Sequence, residues 1–186
     1  EPPRLSNETL KVPANWLRPT MLDLPPEVVS WISRHRSLPP WERALAAQEF
    51  VTTRYAYDPD YLSHPEARRF LQALPKGSNQ HLQLLHERRQ GDQLGFGMCH
   101  ELNSMLCELL RHLEVPALLA CGWVLDEGFL ECPDHVFAVA VLASLHGPCL
   151  MPLDGAVSSE GPLRPLGRRK PPTSTLAKAA ALPSPD

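Results

Sequence analysis

The chain has 186 residues, 18 Lys and Arg against 21 Asp and Glu, a formal charge of −3 and a pI of about 6.3. That balance excludes the basic footprint by which a protein holds nucleic acid or an anionic membrane surface. Hydrophobic residues make up 43%, enough for one core of ordinary size, yet no run approaches the roughly 18 uninterrupted apolar residues of a membrane span.

The sequence opens with no charged-then-apolar leader, which leaves the compartment undecided. Proline is the outlier, with 21 residues gathered at the two ends and at element boundaries. Residues 1–20 read as an extended arm anchored by Trp16 and Leu17. Residues 21–166 read as one folded domain. Residues 167–186, rich in Pro, Ser and Ala, read as a disordered tail or a linker into further domains.

A first helix is expected after Pro25-Pro26, where proline and Glu27 suit a helix start and apolar residues fall at 28, 31 and 32. A second begins at Pro39-Pro40-Trp41 and shows a broad apolar face at 41, 44, 45, 47, 50 and 51. It runs to Arg54 and breaks at Tyr55-Ala56-Tyr57-Asp58-Pro59, because the residue before proline is pushed out of the helical region. Shorter helices are expected at about 65–74 and 78–90, with Arg68, Arg69, Arg88 and Arg89 on solvated faces.

The period changes in the second half. From Cys99 to Leu113 the apolar residues fall at 102, 105, 106, 109, 110 and 113, a helical stripe that must face a core. Val115-Pro116 ends it. Ala117–Leu125 and Val136–Leu142 are nearly continuous apolar runs of strand length, and Pro148–Leu153 supplies a shorter third. Helices ahead of strands predict an α+β domain, with a central helix packed on an antiparallel sheet.

The five cysteines, at 99, 107, 121, 132 and 149, are odd in number and contain no Cys-x-x-Cys pair, so neither a disulfide framework nor a zinc knuckle is indicated. Cys107, Cys121 and Cys149 lie in apolar runs and are expected in the core. Cys132, beside Pro133, belongs to a loop. His64, His81, His86 and His146 show no ligand spacing and no glycine-rich phosphate loop occurs. No metal and no cofactor is expected.

Cys99 is different. It opens the central helix after Gly95-Phe96-Gly97-Met98, and a helix start offers unpaired N–H groups and partial positive charge that favour the thiolate. Gly97 lets a substrate come close to the backbone, and the N–H of Cys99 is placed to receive a developing oxyanion. Downstream, His135 opens a strand and Asp154 follows another. A thiol, an imidazole to pair with it and a carboxylate to hold the imidazole form a nucleophilic triad in chain order. His100, next to the thiol, points to another side of the helix and is not the expected base. Trp123, beside Gly122, is a candidate wall of the substrate groove.

From Gly95 to Gly155, about a third of the chain, the sequence resembles the transglutaminase-like superfamily of papain-like cysteine enzymes. The matching residues are Gly97-Met98-Cys99, Leu110-Arg111-His112-Leu113 with Val115-Pro116-Ala117, His135-Val136-Phe137, and Leu153-Asp154-Gly155. The resemblance implies a papain-like fold with Cys99 as nucleophile, His135 as acid–base and Asp154 as orienting residue. It also makes Phe137 the aromatic after the histidine, where the family usually has Trp, expected to line the substrate cleft, and puts Gly155-Ala156 where Pro-Thr is more usual. Gln93 stands six residues before Cys99, the offset at which papain-like peptidases carry a side-chain amide donor. Glu101 resembles the Cys-x-Glu of some relatives and is expected to serve the helix end or a neighbouring cation.

The expected activity is thioester-forming cleavage or transfer at an amide bond of a protein or peptide. Hydrolysis is favoured over amine crosslinking because nothing marks an amine-acceptor or calcium site. The competing expectation is a catalytically silent module that binds a protein partner through the same cleft.

Overall fold

The computed structural model describes residues 5, 10–20, 24–58, 63–73, 95–122 and 135–156. A short 3-10 turn at Ala14–Trp16 precedes helices α1 (Pro26–His35) and α2 (Pro40–Arg54), strand β1 (Tyr55–Tyr57), helix α3 (Pro65–Ala73), strand β2 (Gly95–Gly97), helix α4 (Cys99–His112) and strands β3 (Ala117–Gly122), β4 (His135–Ser144) and β5 (Gly147–Leu153). Mixed helix and antiparallel sheet make this α+β, as the order of patterns predicts.

The two front helices start by the same device. An extended proline (Pro25, Pro39) is followed by a second proline in the first helical turn, where its missing N–H costs nothing. Helix α1 buries Val28, Trp31 and Ile32. The Trp31 ring lies 4.6 Å from that of Phe50 and so ties α1 to α2. Helix α2 buries Ala44, Ala47, Phe50 and Val51, but Trp41 and Leu45 are 38% and 46% exposed. At 100° per residue those two sit roughly 60–100° beyond the buried arc, on a flank that the packing does not cover. The apolar face is therefore narrower than the sequence predicts.

Tyr55–Tyr57 does more than stop α2. It pairs in parallel with Gly95–Gly97, Tyr55 opposite Gly95 and Tyr57 opposite Gly97, and the N–H of Asp58 extends the ladder to the Gly97 carbonyl at 2.9 Å. This small sheet is absent from the sequence reading, because its halves lie about 40 residues apart and neither is long enough to show a period.

Helix α4 is the axis of the molecule. All six positions of the predicted stripe are buried (Leu102, Met105, Leu106, Leu109, Leu110 and, just past its end, Leu113), and so are Glu101, Asn103, Ser104 and Glu108 between them. Burial on every side means that α4 is enclosed, packing on α2 and on β3 and β4. It ends in a left-handed Glu114 (φ 59°), with the N–H groups of Glu114 and Val115 returning to the carbonyls of Arg111 and Leu110. That is a Schellman closure made without glycine.

Strands β3, β4 and β5 form an antiparallel sheet in that spatial order. The register sets Gly122 opposite His135, Ala117 opposite Ala140 and Ala138 opposite Leu153. The central strand brings Ala138, Ala140 and Leu142 to the core. The β4–β5 turn needs its glycine, since Gly147 has φ +109°. Cys107 is buried, but Cys121 is exposed and Cys149 half-buried, against the expectation that all three are core residues. β3 and β5 are the outer strands of this sheet, and their residues lack the cover that β4 receives from both sides.

The arm is held by more than Trp16 and Leu17, which are half-buried. Thr20 donates both its N–H (2.8 Å) and its hydroxyl (2.6 Å) to the carboxylate of Glu108 on α4, to which Arg111 also donates at 3.2 Å. Leu5 bridges Ser144 at the end of β4. Arg68 and Arg69 are exposed as expected. The expected helix at 78–90, Arg88, Arg89, Cys132, the far end of the first back-half strand and the 167–186 tail lie outside the described residues.

Candidate active site

The site is assembled at the start of α4. Met98 is extended (φ −83°, ψ −179°), and the buried carboxylate of Glu101 reaches back to accept the Met98 N–H at 3.0 Å. The negative group satisfies an orphan donor and complements the helix dipole. Glu101 thus serves the helix end, and also sits 3.7 Å from Nδ1 of the half-exposed His100. Its hydrogen bond raises the His100 pKa. His100 is thus engaged by Glu101.

Cys99 is the first residue of the helix and is buried. Adjacent antiparallel strands deliver the other two side chains, since His135 begins β4 and Asp154 directly follows β5. Asp154 Oδ2 lies 2.6 Å from His135 Nε2. On the thiol side, His135 is the leading influence that lowers the Cys99 pKa. The structure thus brings His135 and Asp154 into direct contact, next to the start of the helix that bears Cys99.

The electrostatics follow from that contact. The His135 hydrogen bond holds the Cys99 thiol below its ordinary pKa; burial opposes it, while backbone N–H groups of Val136 and His100 assist. His135 is lifted to about 10, first by the Asp154 carboxylate and then by the Cys99 sulfur, against the pull of burial. Burial pushes Asp154 upward, but hydrogen bonds from His135, Asn103 and the Ala156 N–H outweigh it and keep the carboxyl below its usual range. At neutral pH His135 is therefore an imidazolium backed by the Asp154 carboxylate, and its charge favours the thiolate form of Cys99.

Asn103 is the polar residue that the sequence reading leaves without a role. It is fully buried. Its Nδ2 donates to the Val136 carbonyl (2.8 Å) and to Asp154 Oδ1 (2.9 Å), and its Oδ1 accepts the Gly155 N–H (2.8 Å). The available signal is spacing: four residues after Cys99, it lies one turn on along the same helix face. Gly155 must come close for this contact. A Cβ there would stand 2.9 Å from Val51 Cγ1 and 3.1 Å from the Leu102 carbonyl oxygen, so any larger residue lifts the Asp154 loop off α4.

Of the softer candidates, Gly97 is buried at the end of β2, two residues before the sulfur, and its carbonyl accepts from Asp58. Phe137 lies along β4 with its ring nearly parallel to that of His135, 16° between planes and 6.4 Å between centroids. Gly122 makes room for it, since a Cβ there would lie 2.9 Å from Phe137 Cε1. Gln93 and Trp123 lie outside the described residues. A second histidine–carboxylate pair, His64 Nε2 to Asp58 Oδ2 at 2.7 Å, stands just past β1 and was not foreseen.

Comparison with protein-family models, with curated proteins and with solved structures found no match to this chain.

Proposed function

We propose that the chain is a cysteine-dependent acyl-transfer enzyme of transglutaminase-like, papain-like type, acting on an amide bond of a protein or peptide. The observation that carries this reading is a buried thiol at a helix N-terminus whose pKa is lowered chiefly by His135, the imidazole itself being held at 2.6 Å by Asp154. A thiol that serves only to pack has no use for a charged imidazole backed by a carboxylate.

The chemistry runs in two halves. The Cys99 thiolate attacks the amide carbonyl, and the negative charge collecting on its oxygen is met by N–H groups at the start of α4. When the C–N bond breaks, imidazolium His135 gives its proton to the departing amine and a thioester remains on Cys99. Water then attacks the thioester carbonyl while neutral His135 takes its proton. The acid leaves, and thiolate and imidazolium are restored. Asp154 keeps the ring oriented and stabilises its charge in both halves. Hydrolysis is preferred to amine transfer, as in the sequence reading.

The test is cleavage profiling on a library of peptide amides, with the native chain compared with Cys99→Ala. The expected result is cleavage of a subset of peptides that vanishes in the variant. Equal background from both proteins overturns the enzymatic reading and leaves the silent partner-binding module. Stable incorporation of a labelled amine in place of hydrolysis overturns the preferred second half alone.

A further inference from the structure

We infer that Asn103 is the positioning residue of this site, the one side chain through which the helix that bears the thiol, the strand that bears the imidazole and the loop that bears the carboxylate are locked in register. The inference rests on the proposed triad and goes beyond it, since the triad itself does not require a fourth side chain.

The geometry is unusually complete for one amide. On α4, Asn103 is a single turn from Cys99. Its bond to the Val136 carbonyl grips the residue next to His135. Its bond to Asp154 Oδ1 holds the carboxylate oxygen opposite the one that faces His135. Its acceptor takes the N–H of Gly155, next to Asp154. Every contact falls on a triad residue or its immediate neighbour.

The orientation of the amide is not ambiguous. Val136 and Asp154 present only acceptors, which require the NH2 group, and Gly155 presents a donor, which requires the oxygen. With both hydrogens used, no flipped or rotated form satisfies the same three partners. Losing the side chain removes the Asn103 partner of the Val136 carbonyl and of the buried Gly155 N–H, where burial keeps water from replacing it. It also leaves Asp154 Oδ1 with the Ala156 N–H alone, at 2.8 Å.

A carboxylate held at both oxygens has one rotamer, and the ring it holds has one direction. Released at Oδ1, Asp154 turns, the imidazolium loses part of its partner, and the thiolate loses part of the imidazolium. The effect of Asn103 on chemistry is thus transmitted through two other side chains.

Two variants read this out. Asn103→Ala removes the lock at every pH. Asn103→Asp keeps the shape but replaces the donors by an acid. The titratable groups around it are Asp154 beyond β5, His135 at the head of β4 and Cys99 on its own helix, while Glu101 is engaged with Met98 and His100. Two carboxyls at hydrogen-bond distance share one proton, and a protonated Asp at 103 still donates to Asp154. At higher pH the shared proton leaves and like charges face each other.

The experiment measures the pH dependence of Cys99 alkylation by iodoacetamide, mapped by mass spectrometry, together with kcat and KM on a cleaved peptide amide. Circular dichroism at each pH confirms that the folded protein is being read. For Asn103→Ala the expected result is an acid limb moved upward by about one unit, which slows alkylation below the limb about tenfold, and a fall in kcat with KM nearly kept. For Asn103→Asp the expected result is near-native alkylation at acid pH and a loss as pH rises that the native chain does not show. A merely structural amide lowers the melting temperature and leaves these profiles in place, and that outcome overturns the inference. Should Asn103→Ala not fold, the loss of Asn103→Asp alkylation as pH rises carries the decision. The alkylation profile needs no substrate, so a limb shifted in Asn103→Ala while the native chain cleaves nothing sinks the proposed function and spares Asn103. Cleavage with unshifted limbs does the reverse.

Discussion

On the proposed mechanism, His135→Ala is expected to lower amide cleavage roughly a thousandfold or more, with the fold retained. Three losses combine. The thiol no longer has the hydrogen bond that chiefly depresses its pKa, so at neutral pH most of it is protonated and unreactive. The departing amine has no acid within reach. The water that resolves the thioester has no base. Groups acting as one unit are lost together, so deleting one member costs nearly as much as deleting all, as measured in serine protease triads. The fold survives because His135 is half-buried at the first position of β4, while the core of that strand lies further along at Ala138, Ala140 and Leu142. Steady-state kinetics on the best library peptide, with circular dichroism on the same sample, check this. Activity within a few-fold of native removes His135 from the mechanism.

The largest loss of stability is expected from Leu106→Ala, at about 2–5 kcal/mol. Leu106 is completely buried near the middle of α4, the helix that packs on both α2 and the sheet. Shortening it removes apolar contacts that neither neighbour can replace without moving the other. Since folded domains are stable by only about 5–15 kcal/mol, urea unfolding shows an obvious drop in midpoint. Leu150→Ala, at a site 65% exposed on the outer strand β5, is the control and stays within about 0.5 kcal/mol. Similar midpoints for the two variants contradict the enclosed position of α4.

What the sequence discloses follows from the range over which each signal acts. Helix starts at Pro25-Pro26 and Pro39-Pro40 are legible because proline acts on its own and adjacent residues. The α4 stripe is legible because six apolar positions keep one period over about three turns. The β1–β2 pair is not, since parallel pairing between three-residue segments about 40 positions apart has no local trace. Trp41 and Leu45 misled because apolar character does not say where a packing face ends. Cys121 and Cys149 misled because an apolar run does not distinguish a central strand from an outer one.

The site divides in the same way. Cys99, His135 and Asp154 stand out because each sits where an element begins or ends, so that reactive side chains are placed at rims. Asn103 hides inside the α4 stripe, where a polar residue between leucines looks like a fault in the pattern. Only its three hydrogen bonds explain its burial, and two of its partners are backbone groups that no residue type reveals. Phe137 was expected as a wall of the cleft, and its described position is beside the His135 ring.

The most direct measurement is the pH dependence of Cys99 alkylation in the native chain. A thiol whose pKa is lowered is ionised above that depressed value, and an imidazole lifted to about 10 stays protonated below it. The ion pair therefore exists between those two limits. The account predicts an acid limb well below the ordinary thiol range of about 8.5, and alkylation at neutral pH faster than that of the exposed Cys121. Cys107, which burial pushes up to about 11, remains inert. A Cys99 that titrates at or above the ordinary range, and reacts no faster than Cys121, contradicts the account.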